Sequence, residues 1–134
     1  MEKFEATNRE FLNLYKGLEG VKSMKGARFA VLIGKNAKEL RNLLDPIEAA
    51  AIPSIEFQEL SVQMQRLIDA EDQEGIEKLE ASNTELIEER KKQLANVESL
   101  LDNTTEVFLH PIREDQLPEE ITGEQVEQIL QIIE

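Results

Sequence analysis

Cysteine and tryptophan are absent from this 134-residue chain, and histidine and tyrosine occur once each. Without cysteine there is neither a disulfide framework nor a thiolate metal site, and nothing points to an oxidising compartment. With His110 as the one imidazole, a histidine-rich zinc centre is excluded, and any Ser-His-Asp triad would have to use that residue. No GxSxG elbow accompanies it. The six glycines stand singly, so no loop is built to cradle phosphate. The longest apolar run, FAVLI at 29–33, is far shorter than the roughly 20 residues that cross a bilayer, and the opening MEKFEATN has no apolar signal core. The expectation is a soluble cytoplasmic protein that is not an enzyme, with no catalytic residues, no metal, no cofactor and no membrane partner.

What the chain does have is charge, unevenly placed. Residues 1–44 carry nine Lys+Arg and five Asp+Glu, a net +4, whereas residues 45–134 carry six and twenty-three, a net −17; together they give −13. From Glu114 onward there are seven acids and no base. Such polarity favours packing of one part on another or association between chains, and it makes nucleic acid an unlikely ligand. Hydrophobic content of 40% is enough to fold the chain despite that charge. At this length one domain, residues 1–134, is expected, burying roughly 68% of the surface of its unfolded chain.

The periodicity is mainly that of α-helix, and it predicts helices at about 8–20, 27–50, 54–70, 76–102 and 123–133. Thr7 with Glu10 makes a capping box ahead of Phe11, Leu14, Leu18 and Val21, while Gly17 and Gly20 weaken the end of that helix. The second helix is the most apolar, with Ala30, Ile33, Ala37, Leu40, Leu44 and Ile47 in step, and Pro46 predicts a kink or break in it. A third helix starts at Ser54. The fourth carries Ile76, Leu79, Asn83, Leu86, Arg90, Leu94, Val97 and Leu101 at near-heptad spacing, so helices three and four should form an antiparallel hairpin. Asn83 and Arg90 interrupt its apolar register.

After Asn103 the period becomes two, with Val107 and Leu109 on one face and Glu106, Phe108 and His110 on the other, ended by Pro111. A short β element at about 2–6 and 106–110 follows, and two pairings stay open. MEKFEA can supply the partner strand within the chain, or residues 106–110 can pair across a two-fold axis in a homodimer. Thr122 with Gln125 then caps a C-terminal helix whose Val126, Ile129, Leu130 and Ile133 face inward. The fold class is thus a mainly α helical hairpin or bundle with a short β element and a C-terminal capped helix.

Three groups of polar residues are candidate sites. Asp69, Glu71, Asp72 and Glu74 lead to a Glu80 in the twelfth place of a calcium loop, but the sixth place, which needs glycine, is Glu74. A helical-hairpin turn is the better reading. Lys22, Lys25, Arg28, Lys35, Lys38 and Arg41 form a basic run in which Arg28 and Lys35 stack, yet no aromatics alternate with them for base stacking. Paired carboxylates such as Glu119-Glu120 read as solvated faces. The residues expected at an interface are Val107, Phe108, Leu109, Arg28, Lys35, Glu119, Glu120, Glu124 and Glu127, and His110 is expected in a structural seam.

Three stretches, KGARFAVLIGKNAKELRNLL (25–44), PSIEFQEL (53–60) and ERKKQLANVESLLDNTTEVFLHPIREDQLPEEITGEQVEQILQIIE (89–134), resemble in order a family of small acidic uncharacterised proteins of tailed bacteriophages. Relatives in that family carry a longer Asp/Gly-rich insert near residues 71–75, shortened here. The resemblance implies a phage gene product, in the host cytoplasm or the virion, and brings no catalytic residues with it. The function expected is a non-enzymatic protein-interaction or assembly factor with a phage structural or host protein as partner. The alternative is an acidic nucleic-acid mimic that inhibits a host DNA- or RNA-binding enzyme.

Overall fold

The computed structural model describes residues 1–134. In chain order it contains strand β1 (Glu2–Thr7), helices α1 (Asn8–Val21), α2 (Ala27–Ala51), α3 (Ile55–Asp69), α4 (Gln73–Ser82) and α5 (Thr84–Asp102), strand β2 (Thr104–Leu109) and helix α6 (Gly123–Ile129). Single 3-10 turns lie at Glu114–Gln116 and Leu130–Ile132. The chain is mainly α with one two-stranded antiparallel sheet, as the periodicity predicts. Read from its length as one domain, it divides by its contacts into two compact units: Met1–Ile47 with Leu100–Glu134, and Glu48–Ser99.

The first unit holds the core. Phe11, Leu14, Leu18 and Val21 of α1 meet Phe29, Ile33 and Leu40 of α2, and Leu109, Ile112, Ile129 and Ile132 complete the cluster. The caps form as the sequence proposes: Thr7 Oγ1 accepts from the Glu10 N–H at 3.1 Å, and Thr122 and Gln125 bond reciprocally at 3.1 and 3.0 Å. Each cap satisfies helix N–H groups that have no partner within the helix. Gly17 does not weaken α1. A Cβ there would stand 2.9 Å from the Gln128 carbonyl oxygen of α6, so its bareness is what lets the two helices approach. Gly26, at φ +122°, turns the chain into α2, a conformation closed to other side chains.

Two boundaries differ from expectation, and one expected break is absent. No break occurs at Pro46, and α2 runs through it to Ala51. The proline costs one hydrogen bond, but Glu48 and the three alanines after it are strong helix formers, and their end is held from outside. The helix expected at 76–102 is two helices parted at Asn83, whose φ of −129° is not helical. Ser82, Asn83 and Thr84 each turn a side chain back onto the preceding turn, to the carbonyls of Lys78, Leu79 and Ala81. Three consecutive competitors for backbone carbonyls undo the ladder locally. Finally, α6 ends at Ile129 because the chain is pulled out to bond Ile112: the Ile112 N–H donates to Ile132 O at 2.7 Å and the Glu134 N–H to Ile112 O at 2.8 Å. The tighter turn puts Ile132 inside and leaves Leu130, expected inward, exposed.

The second unit comprises α3, α4, most of α5 and the end of α2. Ser54 caps α3, accepting from the Phe57 N–H at 3.1 Å. Between α3 and α4, Glu71 takes φ +54°, while the N–H groups of Glu71 and Asp72 donate to Ile68 O and Leu67 O. That is a Schellman C-cap with a glutamate where glycine is usual. Asp72 then caps α4 through the Gly75 N–H at 2.9 Å.

Candidate functional site

The stretch around the lone histidine is a structural seam. Strand β1 pairs with β2 inside the chain, from Glu2 opposite Leu109 to Thr7 opposite Thr104, so the two-fold strand pairing is replaced by the in-chain one. Alternation then sends Ala6, Val107 and Leu109 into the core and leaves Phe108 54% exposed. Val107 and Leu109, expected at an interface, are therefore core residues, and Phe108 alone of the three faces outward. Lys3 and Glu106 form an ion pair of 3.5 Å on the outer face.

Where β2 ends, a side chain takes over the pairing. Asn36 of α2, fully buried, donates Nδ2–H to His110 O at 2.8 Å and accepts from the His110 N–H through Oδ1 at 2.7 Å. A carboxamide has the same donor and acceptor as a peptide unit, so it acts as one more rung of the ladder. The imidazole of His110 is held below its ordinary pKa, first by burial, then by the positive charges of Lys35 and the N-terminus, with Glu39 opposing. No group of three His, Asp or Glu side chains is placed to hold a metal ion. No local signal in the sequence marks Asn36, because its partner lies 74 residues away.

The basic run is spread over exposed surface. Arg28 and Lys35 are exposed on α2, whereas Arg41 sits 5.9 Å from the Tyr15 ring centroid and donates to its hydroxyl at 3.3 Å. Lys22 pairs with Glu19 at 2.6 Å, and that hydrogen bond holds the Glu19 carboxyl below its usual range. At the other end of the sequence Glu119, Glu120, Glu124 and Glu127 are all exposed, with Glu124 in the first turn of α6, where the helix dipole favours a carboxylate.

The feature that the sequence did not single out lies in residues 48–99. Arg90, which breaks the apolar register, donates Nη1–H to Ala51 O at 2.8 Å and to Gln93 Oε1 at 2.8 Å, and its guanidinium stands 5.7 Å from the Phe57 ring centroid. Gln93 donates to Ala50 O and Ile52 O at 2.9 and 2.7 Å. Together they hold the carbonyls at the end of α2, which the helix leaves unpaired. Yet this unit has one buried apolar side chain, Leu60. Ile52, Ile55, Val62, Ile68 and Leu94 are 59%, 71%, 53%, 49% and 44% exposed. An open groove of about 230 Å³ runs between the helices, lined by Phe57, Leu60, Met64, Ile68, Glu80 and Ile87 among others. The signal was available: α3 carries Ile55 and Val62 on the side opposite Phe57, Leu60 and Met64, more apolar surface than one neighbour can cover.

No helix is long and apolar enough to cross a membrane. Compared with protein-family models, curated proteins and solved structures, the chain matches none.

Proposed function

We propose that the protein is a non-enzymatic protein-interaction or assembly factor of a tailed bacteriophage, working in the host cytoplasm or the virion through the helices of residues 48–99. The phage context rests on the sequence resemblance. The mode of action rests on one observation, the exposure of Ile55 and Val62 at 71% and 53% on the outer face of α3. Each such side chain gains roughly 1.5–3 kcal/mol when fully covered, so two together support a protein contact. Affinity capture of the tagged full chain from infected cells tests this. Recovery of a capsid, portal or tail protein or a host protein, lost on Ile55→Asp/Val62→Asp, supports the reading; capture unchanged by that variant contradicts it.

The exposed carboxylates Glu119, Glu120, Glu124 and Glu127 favour a second reading, an acidic mimic of nucleic acid acting on a host DNA- or RNA-binding enzyme. Competition with DNA for such an enzyme, abolished when the four are changed to Gln, distinguishes it. Competition that survives the change counts against it.

A further inference from the structure

The first half of α2 has an outer side that the chain itself does not cover. Phe29, Ile33, Asn36, Ala37 and Leu40 are buried on the inner side, but Val31 on the opposite side is 53% exposed. Gly34, one turn further on, has no atom within 4 Å of where a Cβ would stand. A glycine in mid-helix lowers helix stability, and unlike Gly17 this one meets no neighbour in the chain that requires it. It leaves a hollow beside Val31.

The rim of that hollow is basic and unopposed. Lys25, Arg28, Lys35 and Lys38 are all exposed, none of them takes part in an ion pair, and residues 20–38 contain no Asp or Glu. The next acid along, Glu39, is half-buried and acts on His110.

At the other end of the sequence stands a surface of the opposite kind. Leu130 is 57% exposed where α6 gives way to the tighter turn, and Glu120, Glu124 and Glu127 ahead of it are exposed too. These carboxylates form no ion pair in the chain, and residues 114–134 hold no base. From Glu124 to Leu130 is about 9 Å and from Arg28 to Lys38 about 15 Å at the usual rise per residue, so the acidic segment fits along the basic one. One surface has the hollow and the bases; the other has the projecting apolar side chain and the acids. Both sets of charge are unpaired in the single chain, and a second copy supplies what each lacks. Two α2 helices set against each other would bring base against base, which disfavours that pairing.

From these we infer that copies of the chain associate head to tail, the α6 end of one docking on the outer side of α2 of the next. Leu130 then covers Gly34 beside Val31, and Glu120, Glu124 and Glu127 face Arg28, Lys35 and Lys38. The net charge of −13 opposes approach, but at about 0.15 M salt it is screened beyond roughly 8 Å, whereas charges in contact are not. This goes beyond the interaction reading above, which uses the outer face of α3.

Sedimentation equilibrium of the full chain over a concentration series at about 0.15 M salt tests it. The mass rises above the 15.3 kDa of one chain. Gly34→Leu fills the hollow at a position where a Cβ meets nothing within 4 Å, so helicity by circular dichroism is kept. Association of that variant weakens roughly tenfold. Lys35→Glu/Lys38→Glu and Glu120→Lys/Glu127→Lys each lose association alone, because acid then faces acid or base faces base. Mixed, the two variants associate, since each supplies what the other has lost. The second variant lowers the net charge from −13 to −9, two units for each residue changed, so repulsion between whole chains would strengthen its association instead of abolishing it. A wild type that stays monomeric at every concentration, or a mixture no better than its components, overturns the inference. Capture that depends on Ile55 and Val62 is read separately, so the interaction reading survives that failure.

Discussion

Asn36 and His110 are joined by two hydrogen bonds, side chain to main chain, of 2.8 and 2.7 Å. They fasten the buried middle of α2 to the end of β2 at a point where the carboxamide is wholly out of solvent. Asn36→Leu keeps the volume and leaves both groups of the His110 peptide without their partner. The expected loss is about 2–4 kcal/mol of unfolding free energy, read from the urea midpoint. A loss below about 0.5 kcal/mol would show that water replaces the carboxamide freely.

Gly17 and Gly34 make a paired test of packing against propensity. Gly17→Ala drives a methyl against Gln128 O, a backbone atom that cannot rotate away, and should cost about 2 kcal/mol or more. Gly34→Ala meets nothing within 4 Å on an exposed helix face and should stabilise by about 0.5–1 kcal/mol. Thermal unfolding of the two variants should move in opposite directions.

Glu71 occupies a left-handed conformation that costs a side chain about 1 kcal/mol and costs glycine nothing. Glu71→Gly should therefore stabilise α3 and α4, visible as slower hydrogen exchange at their shared turn. The chain bends two residues after the end of α3, at Glu71, under control of the Schellman bonds.

His110 gives a pH signature. Its pKa is lowered in the fold by burial and by Lys35, so between that value and the ordinary 6.5 or so the unfolded chain binds the extra proton. Its contribution is full above about pH 6.5 and is lost as pH falls towards the folded pKa. The urea midpoint should drop over that acid window, and His110→Gln should flatten the drop.

How much of this could be read from the sequence depended on range. The caps at Thr7, Ser54 and Thr122 and the alternation of Val107 and Leu109 are local, and they appear where their signals stand. The break at Asn83 was half visible, as a polar interruption, but only the joint back-bonding of Ser82, Asn83 and Thr84 turns it into a boundary. Distant partners decided the rest. Ile112 unwinds the end of the last helix and exchanges Leu130 for Ile132 in the core, and Gln128 is what makes Gly17 necessary. Val107 and Leu109 were read as interface residues because a lone strand must pair, and the pattern alone could not say that β1 would supply the partner.

Residues 48–99, with Leu60 as their one buried apolar side chain, are left incompletely buried in the single chain. Native-state hydrogen exchange of the dilute full chain reads that burial residue by residue. The amides of α3 and α4 should exchange far faster than those of α1 and β2. Strong protection of α3 and α4 in the dilute monomer, equal to that of α1, would contradict it.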